Sequence, residues 1–387
     1  MLPSSKPISV AHLLFGDGVW GVENYVYNLL ASPSASAVKP LIVCISDGAI
    51  SQKFKNTNIE IKFVPVSGYF DVAAMVALSK LFEAHRVDLV HVHLGLDSFV
   101  GTVAAKLAHR PVIMSVHFDQ PNYMSYGQLA KQAWKSCQIL KNKSIAHFLP
   151  ITQNVAAELM QRESVSASKV TVVHPGIPVF TIDRSVHSRL RDELNCSEQE
   201  IVVVGVGRLE IEKNFDCLVK AFAKIDPKHK VKGWIIGDGS QLQALEQLIE
   251  RLGLAGVVRM LGYRNDVKDL LASADIFVLP SKAEPFGMSA VEAMMSELPV
   301  IGTMGPGLGT IVEAEKTGIL VPPDNAEALG QAIERLAGDR ELRGNLGLAG
   351  RKRAVDLFSS DKMAEQIVTI YRDVLAKRAQ PVATSIS

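Results

Sequence analysis

Short runs of β-branched and apolar residues alternate with stretches of helical spacing along almost the whole chain, the signature of a doubly wound parallel sheet. Ile8 to Phe15, Leu41 to Ser46, Ile61 to Val66, Leu89 to His93, Val112 to His117, Phe148 to Thr152 and Val170 to His174 read as the strands of one half. Ile201 to Gly207, Gly233 to Gly237, Val257 to Leu261, Asp275 to Leu279, Val300 to Thr303 and Gly318 to Val321 read as the strands of a second. Between the two series, His174-Pro175-Gly176-Ile177-Pro178 breaks both helix and strand, because each proline lacks an N–H and glycine favours no regular conformation. The expected fold class is therefore α/β, two Rossmann-like domains facing a cleft, with residues 1–178 in the first and 179–360 in the second. Beyond the last strand, Asp339 to Phe358 and Asp361 to Lys377 carry apolar residues at helical spacing and read as two terminal helices.

At 387 residues one core is not expected, and a net charge of +1 exerts no global pull toward nucleic acid. No run approaches the ~18 to 20 apolar residues that span a bilayer, and Met1 to Pro7 lacks the apolar core of a signal peptide, so a cytosolic location is expected. Cys44, Cys137, Cys196 and Cys217 form no CxxC pair, which favours a reducing compartment and no structural zinc.

The chemistry gathers at the carboxyl ends of the second series, where open α/β sheets bind ligands. Gly205 and Gly207 let the backbone turn before Arg208 and Lys213, two cations suited to phosphate oxygens. The competing assignment pairs them with Glu210 or Glu212 on a solvated loop. After the run Ile276 to Pro280, Glu284 falls in a loop, and Pro285 suits the start of a helix beginning near Gly287 and carrying Glu292. Carboxylates there accept hydrogen bonds from the vicinal hydroxyls of a ribose or hexose, beside helix amides that receive a diphosphate. Together these residues point to a nucleotide sugar; two acids favoured only by the helix dipole are the bland alternative.

In the first series, Gly16, Gly18 and Gly21 spell GxGxxG, a weak pattern alone, and the acid that a nicotinamide enzyme needs has only Asp47 as a late candidate. His91 and His93 share one face of their strand, but without a third ligand at a recognisable spacing they read as packed or lining residues rather than a metal pair. His117 ends a strand and could contact a bound sugar.

These motifs resemble glycosyltransferase family 4, the retaining, metal-independent enzymes of GT-B fold. The resemblance rests on Gly207-Arg208-Leu209-Glu210-Ile211-Glu212-Lys213-Asn214, Ile236-Gly237-Asp238-Gly239, Leu261-Gly262-Tyr263, Ala274 to Ser281, the pair Glu284 and Glu292, and Thr317 to Pro323. It implies that Arg208 and Lys213 hold the donor diphosphate, Glu284 the transferred sugar, Glu292 the ribose, and His117 the sugar from the other domain. His117, Arg208, Lys213 and Glu284 would be the catalytic set, with Gly21, Gly207, Tyr263, Arg264, Phe286, Gly287 and Met288 completing the donor site. The last helix, about residues 361–378, would cross back to the first domain. No cofactor and no metal are implied beyond a nucleoside-diphosphate sugar as co-substrate, and an acceptor hydroxyl is the other partner.

Three positions depart from the family pattern: Trp20 in Trp20-Gly21-Val22-Glu23, Thr310 in Pro306-Gly307-Leu308-Gly309-Thr310, and Glu297 in place of a customary glycine. Two rival readings share the architecture: a nucleotide-sugar epimerase, and a catalytically silent sugar-nucleotide-binding subunit. Separately, Lys131, Trp134, Lys135, Ile139, Leu140, Lys141 and Lys143 would suit an interfacial helix, so peripheral membrane contact through 131–143 is an expectation for a lipid-linked acceptor.

Overall fold

A computed structural model describes residues 6–15, 20–46, 52–93, 95–117 and 137–379. The described chain divides into two compact units, one of residues 1–178 with 360–387 and one of residues 179–359. Each is built on one six-stranded parallel sheet.

In the first unit the strands are β1 (Ile8–Leu14), β2 (Val38–Cys44), β3 (Glu60–Phe63), β4 (Leu89–Val92), β5 (Val112–Val116) and β6 (His147–Pro150). Their spatial order is β3-β2-β1-β4-β5-β6, so the winding reverses between β1 and β4. β4 and β5 are buried along their whole length, which explains their unbroken apolar runs: helices cover both faces of a doubly wound sheet. The expected seventh strand, Val170 to His174, is a correction. Thr171 and Val173 donate to the carbonyls of Phe148 and Pro150, but Pro150 has no N–H to return a bond, and only an isolated bridge at Phe148 and Val170 forms.

The second unit holds β7 (Ile201–Val206), β8 (Val231–Ile236), β9 (Val258–Gly262), β10 (Ile276–Leu279), β11 (Val300–Thr303) and β12 (Gly318–Val321), in the order β12-β11-β10-β7-β8-β9. Here the winding reverses between β7 and β10. Val203, Leu218, Ile235, Val278, Ile301 and Ile333 lie in its core.

The terminal helices run Arg340–Phe358 and Ser360–Ala379. The first stays with the second unit through Phe358, whose ring meets Phe286 edge-on at 5.6 Å. The second belongs to the first unit: Met363, Ile367 and Tyr371 are buried in one cluster with Val10, Leu14, Val26 and Leu29. Ser359 between them is extended, and this single non-helical residue separates two helices that serve different cores.

Among the described residues no helix is long and apolar enough to cross a membrane. Of the stretch expected at a membrane surface, Lys131, Trp134 and Lys135 lie outside the described residues. Leu140 and Lys143 are exposed, but Lys141 is buried, its ammonium 3.9 Å from the Met114 sulfur, so it is not one of a row of solvated lysines.

Candidate functional site

β7 and β10 are neighbours at the point where the second sheet reverses its winding, and the loops that leave their carboxyl ends carry most of the expected donor residues. After β7, the Gly207 amide donates to the Ile236 carbonyl at 3.0 Å and the Leu209 amide to the Asp238 carbonyl at 2.8 Å. A single turn, Ile211–Lys213, follows, and Asn214 stops it in the left-handed region at φ 58°. Asparagine tolerates that conformation better than most residues, and here its buried side-chain amide also donates to the Pro280 carbonyl at 3.1 Å. The Lys282 amide donates to the Glu212 carbonyl at 2.9 Å, so the two loops are fastened to each other at two points.

That fastening brings Lys213 onto Glu284. Its ammonium lies 2.6 Å from the Glu284 carboxylate, with side chains only 17% and 10% exposed, and the Ser281 hydroxyl donates to the same oxygen at 3.1 Å. Ser281 and Asn214 stood only at the ends of matched motifs, with no role assigned from the sequence; Asn214 carried the signal of an αL-tolerant residue directly before an apolar helix. Gly307 is required beneath this loop, because a Cβ there would stand 1.8 Å from the Glu284 carbonyl oxygen.

Arg208 is 68% exposed and pairs with Glu212 at 2.9 Å, one of the two partners weighed from the sequence, while Glu210 instead accepts from Ser240. The helix Met288–Met295 starts one residue past Gly287, whose φ of 108° only glycine adopts readily and which offers no side-chain cap. Its first amides therefore lack intrahelical acceptors and are disposed to receive an anion. Glu292 is half-buried on the second turn, and Met288 is half-buried at the first. The Phe286 ring is buried against Phe358, so only its backbone could reach a ligand. Tyr263 is 57% exposed after β9. Arg264 is engaged by Asp266 at 2.7 and 2.5 Å and lies 3.7 Å from Glu193, and this pairing holds the Asp266 carboxyl below its ordinary range.

Of the departures, Glu297 occupies a left-handed position at φ 62°, and its carboxylate pairs with Arg184 at 2.6 Å and lies 3.7 Å from Arg351. Glu297 thus stands where glycine was expected, in a backbone conformation that favours glycine, and makes ion pairs that glycine could not. Thr310 lies in the short turn Leu308–Ile311 and donates to the Pro306 carbonyl at 2.9 Å.

In the first unit, Gly21 lies in the helix Trp20–Ala31, and an added Cβ there would meet nothing within 4 Å. Gly16, Asp17, Gly18 and Asp47 lie outside the described residues, as does the loop after His117. His117 follows β5, is 8% exposed, and stands at the edge of a buried histidine group with His12, His91 and His93. His12 is the third histidine that sequence spacing missed. It sits on β1, directly across from His91 in register, and lies 79 residues away along the chain, where no spacing rule reaches. The ring nitrogens of His12, His91 and His93 come within 4.8 Å of one another. However, both nitrogens of His91 are engaged, Nδ1 with the Tyr371 hydroxyl at 2.6 Å and Nε2 with the Ser115 hydroxyl at 2.8 Å. It could ligate an ion only by giving up one of these bonds. Burial pushes His12 and His117 down to about 3 and holds His91 and His93 well below the usual histidine range, so all four are neutral near pH 7.

Residues 19–179 match a family described as Glycosyltransferase Family 4, and residues 187–353 match one described as Glycosyl transferases group 1. The N-acetyl-alpha-D-glucosaminyl L-malate synthase of Bacillus anthracis is 32% identical over 313 residues, covering 79% of this chain and 80% of that protein. The D-inositol 3-phosphate glycosyltransferase of Corynebacterium glutamicum is 30% identical over 313 residues, covering 76% of this chain and 74% of that protein. Among solved structures, Anabaena HepE in complex with UDP-glucose superimposes with a TM-score of 0.81 at 23% identity, over 95% of this chain and 100% of that one.

Proposed function

Because this chain belongs to glycosyltransferase family 4 and has the GT-B fold, we propose that it moves a hexose-type sugar from a nucleoside diphosphate to an acceptor hydroxyl, with the anomeric configuration retained and no bound metal. The observation that carries this reading is the Lys213–Glu284 pair where β7 and β10 end. Breaking the glycosyl–phosphate bond builds negative charge on the leaving diphosphate. Lys213, Arg208 and the uncapped amides at Gly287 and Met288 supply positive potential to offset it. An arriving diphosphate would take Lys213 from Glu284, and the released carboxylate would accept hydrogen bonds from the sugar. Glu292 is assigned to the ribose, and Tyr263 and Arg264 to the neighbourhood of the base. Gly207 and Phe286 contribute backbone contacts. From the first unit, His117 and Gly21 are assigned to the donor, with His117 acting as a neutral hydrogen-bond partner of the sugar rather than as a cation. The UDP-glucose bound by HepE supports a nucleotide-sugar donor. The two curated relatives differ in the acceptor their names carry, so the acceptor is a matter for assay.

A panel of nucleotide sugars, scored by released nucleoside diphosphate in the presence of varied hydroxyl acceptors, tests the reading. Release with a new glycosidic product that keeps the donor's anomeric configuration supports it. Binding without turnover across the panel would instead mark a silent binding subunit, and an altered sugar formed without acceptor would mark an epimerase.

Treatment with EDTA is expected to leave transfer largely intact, since protein cations are assigned the charge on the diphosphate. Complete loss restored only by a divalent ion would overturn the metal-free assignment.

The two glutamates should separate by ligand. Glu292→Gln is expected to weaken the free nucleoside diphosphate and the intact donor alike, because both carry the ribose. Glu284→Gln should depress transfer without weakening the nucleotide, because its carboxylate contacts the sugar and, in the free protein, competes with the diphosphate for Lys213. Calorimetric titration with the nucleotide, beside turnover of the donor, distinguishes them; equal losses of nucleotide affinity would refute the division.

A further inference from the structure

His93 directly follows β4, as His117 follows β5, and these strands are neighbours paired Val90 to Val112 and Val92 to Met114. That register sets His93 Nδ1 3.4 Å from His117 Nε2, at the long end of hydrogen-bond range. Both imidazoles are buried and neutral, so each has one N–H and one lone pair, and the two nitrogens attract only when one carries the proton and the other does not. Their contact therefore couples the two tautomers.

His93 is itself held firmly. Its ring stacks on His91 at 4.4 Å and 29°, and His91 is anchored at Nδ1 by Tyr371 from the last helix and at Nε2 by Ser115 from β5. The Ser115 hydroxyl also lies 3.2 Å from the Tyr25 hydroxyl, and the Tyr25 ring meets His117 edge-on at 4.7 Å and 89°. His117 is thus confined by a nitrogen on one side and a ring edge on another, both belonging to residues fixed by further buried contacts.

We infer that His93 is a positioning residue for His117: through the Nδ1 to Nε2 contact it ties the His117 tautomer to its own and reserves Nδ1 for the transferred sugar. This deepens the assignment of His117 made above and rests on it only for the identity of the sugar as ligand.

The test compares His93→Leu, which removes the nitrogen, with His93→Asn, whose amide can stand where Nδ1 stood. With the donor that gives the fastest nucleotide release, His93→Leu is expected to lower turnover about ten- to a hundredfold, while affinity for the free nucleoside diphosphate stays unchanged. His93→Asn should restore most of the rate. In a His117→Ala background, His93→Leu should cost less than about twofold, because the group it positions is gone. An undiminished loss in that background would overturn the proposal. Nitrogen-15 spectra of ligand-free protein provide a readout independent of turnover and of fold stability: the His117 tautomer populations are expected to differ between the unaltered protein and His93→Leu. Identical His117 spectra in the two would also overturn it. If His117→Ala transfers sugar normally while the tautomer still depends on His93, the sugar-contact assignment of His117 fails and the positioning role stands.

Discussion

Arg208→Ala and Lys213→Ala are each expected to lower turnover by two to three powers of ten while the chain remains folded. Arg208 gives the cleaner experiment. Its side chain is 68% exposed and its pair with Glu212 is of the kind that contributes about 0 to 1 kcal/mol, so a large kinetic loss could not be attributed to unfolding. Lys213→Ala also strands Glu284, which is only 10% exposed and would keep Ser281 as its partner, so some loss of melting temperature should accompany the loss of rate. Reading both variants by initial rate and by thermal midpoint separates the two effects. Near-normal turnover in both would remove the central claim about the leaving diphosphate.

Acidification from pH 7 to pH 5 is expected to destabilise the first unit by about 4 kcal/mol through His12 and His117 alone. Each is pushed down by burial to about 3 from an ordinary value of 6.5. Between those values the unfolded chain binds protons that the folded chain refuses. The stability is therefore fully present above pH 6.5 and is lost as pH falls below it, until the folded histidines protonate near 3. Over this interval each contributes about 2 kcal/mol, and His91 and His93 are shifted in the same direction. Carboxylates such as Asp266 and Glu200, whose values are lowered from 3.8 and 4.5, affect stability only at lower pH, so the interval reports on histidine. Urea titrations at the two pH values measure the loss. His12→Leu should reduce it by about 2 kcal/mol without harm at pH 7, because neither nitrogen of His12 has a hydrogen-bond partner to lose. Equal stability at pH 7 and pH 5 would show that these histidines are hydrated or paired.

The strands were legible where a run was buried on both faces, as in Leu89 to Val92 and Ile276 to Leu279, since such runs keep their apolar character whatever their neighbours. Val170 to His174 failed as a strand for a reason located elsewhere: the missing N–H belongs to Pro150, on the segment beside it. Lys141 read as one of a row of surface lysines, yet its ammonium packs beside Met114. Helical spacing identifies a face, and the surroundings of that face are set by what packs on it.

The sequence by itself determined twelve of the thirteen expected strands, the family and the candidates for the site, because periodicity, turn residues and motif spacing are local properties of the chain. The tertiary structure alone decided that Lys213 meets Glu284 across 71 residues, that His12 joins His91 and His93, and that Tyr371 reaches His91 from 280 residues away. The first two follow from the order of strands in each sheet, with β7 beside β10 and β1 beside β4, and the third from the last helix packing into the first unit's core. Strand order is a choice among long-range pairings, and the alternation of apolar and polar residues within a strand is the same whichever neighbour it takes.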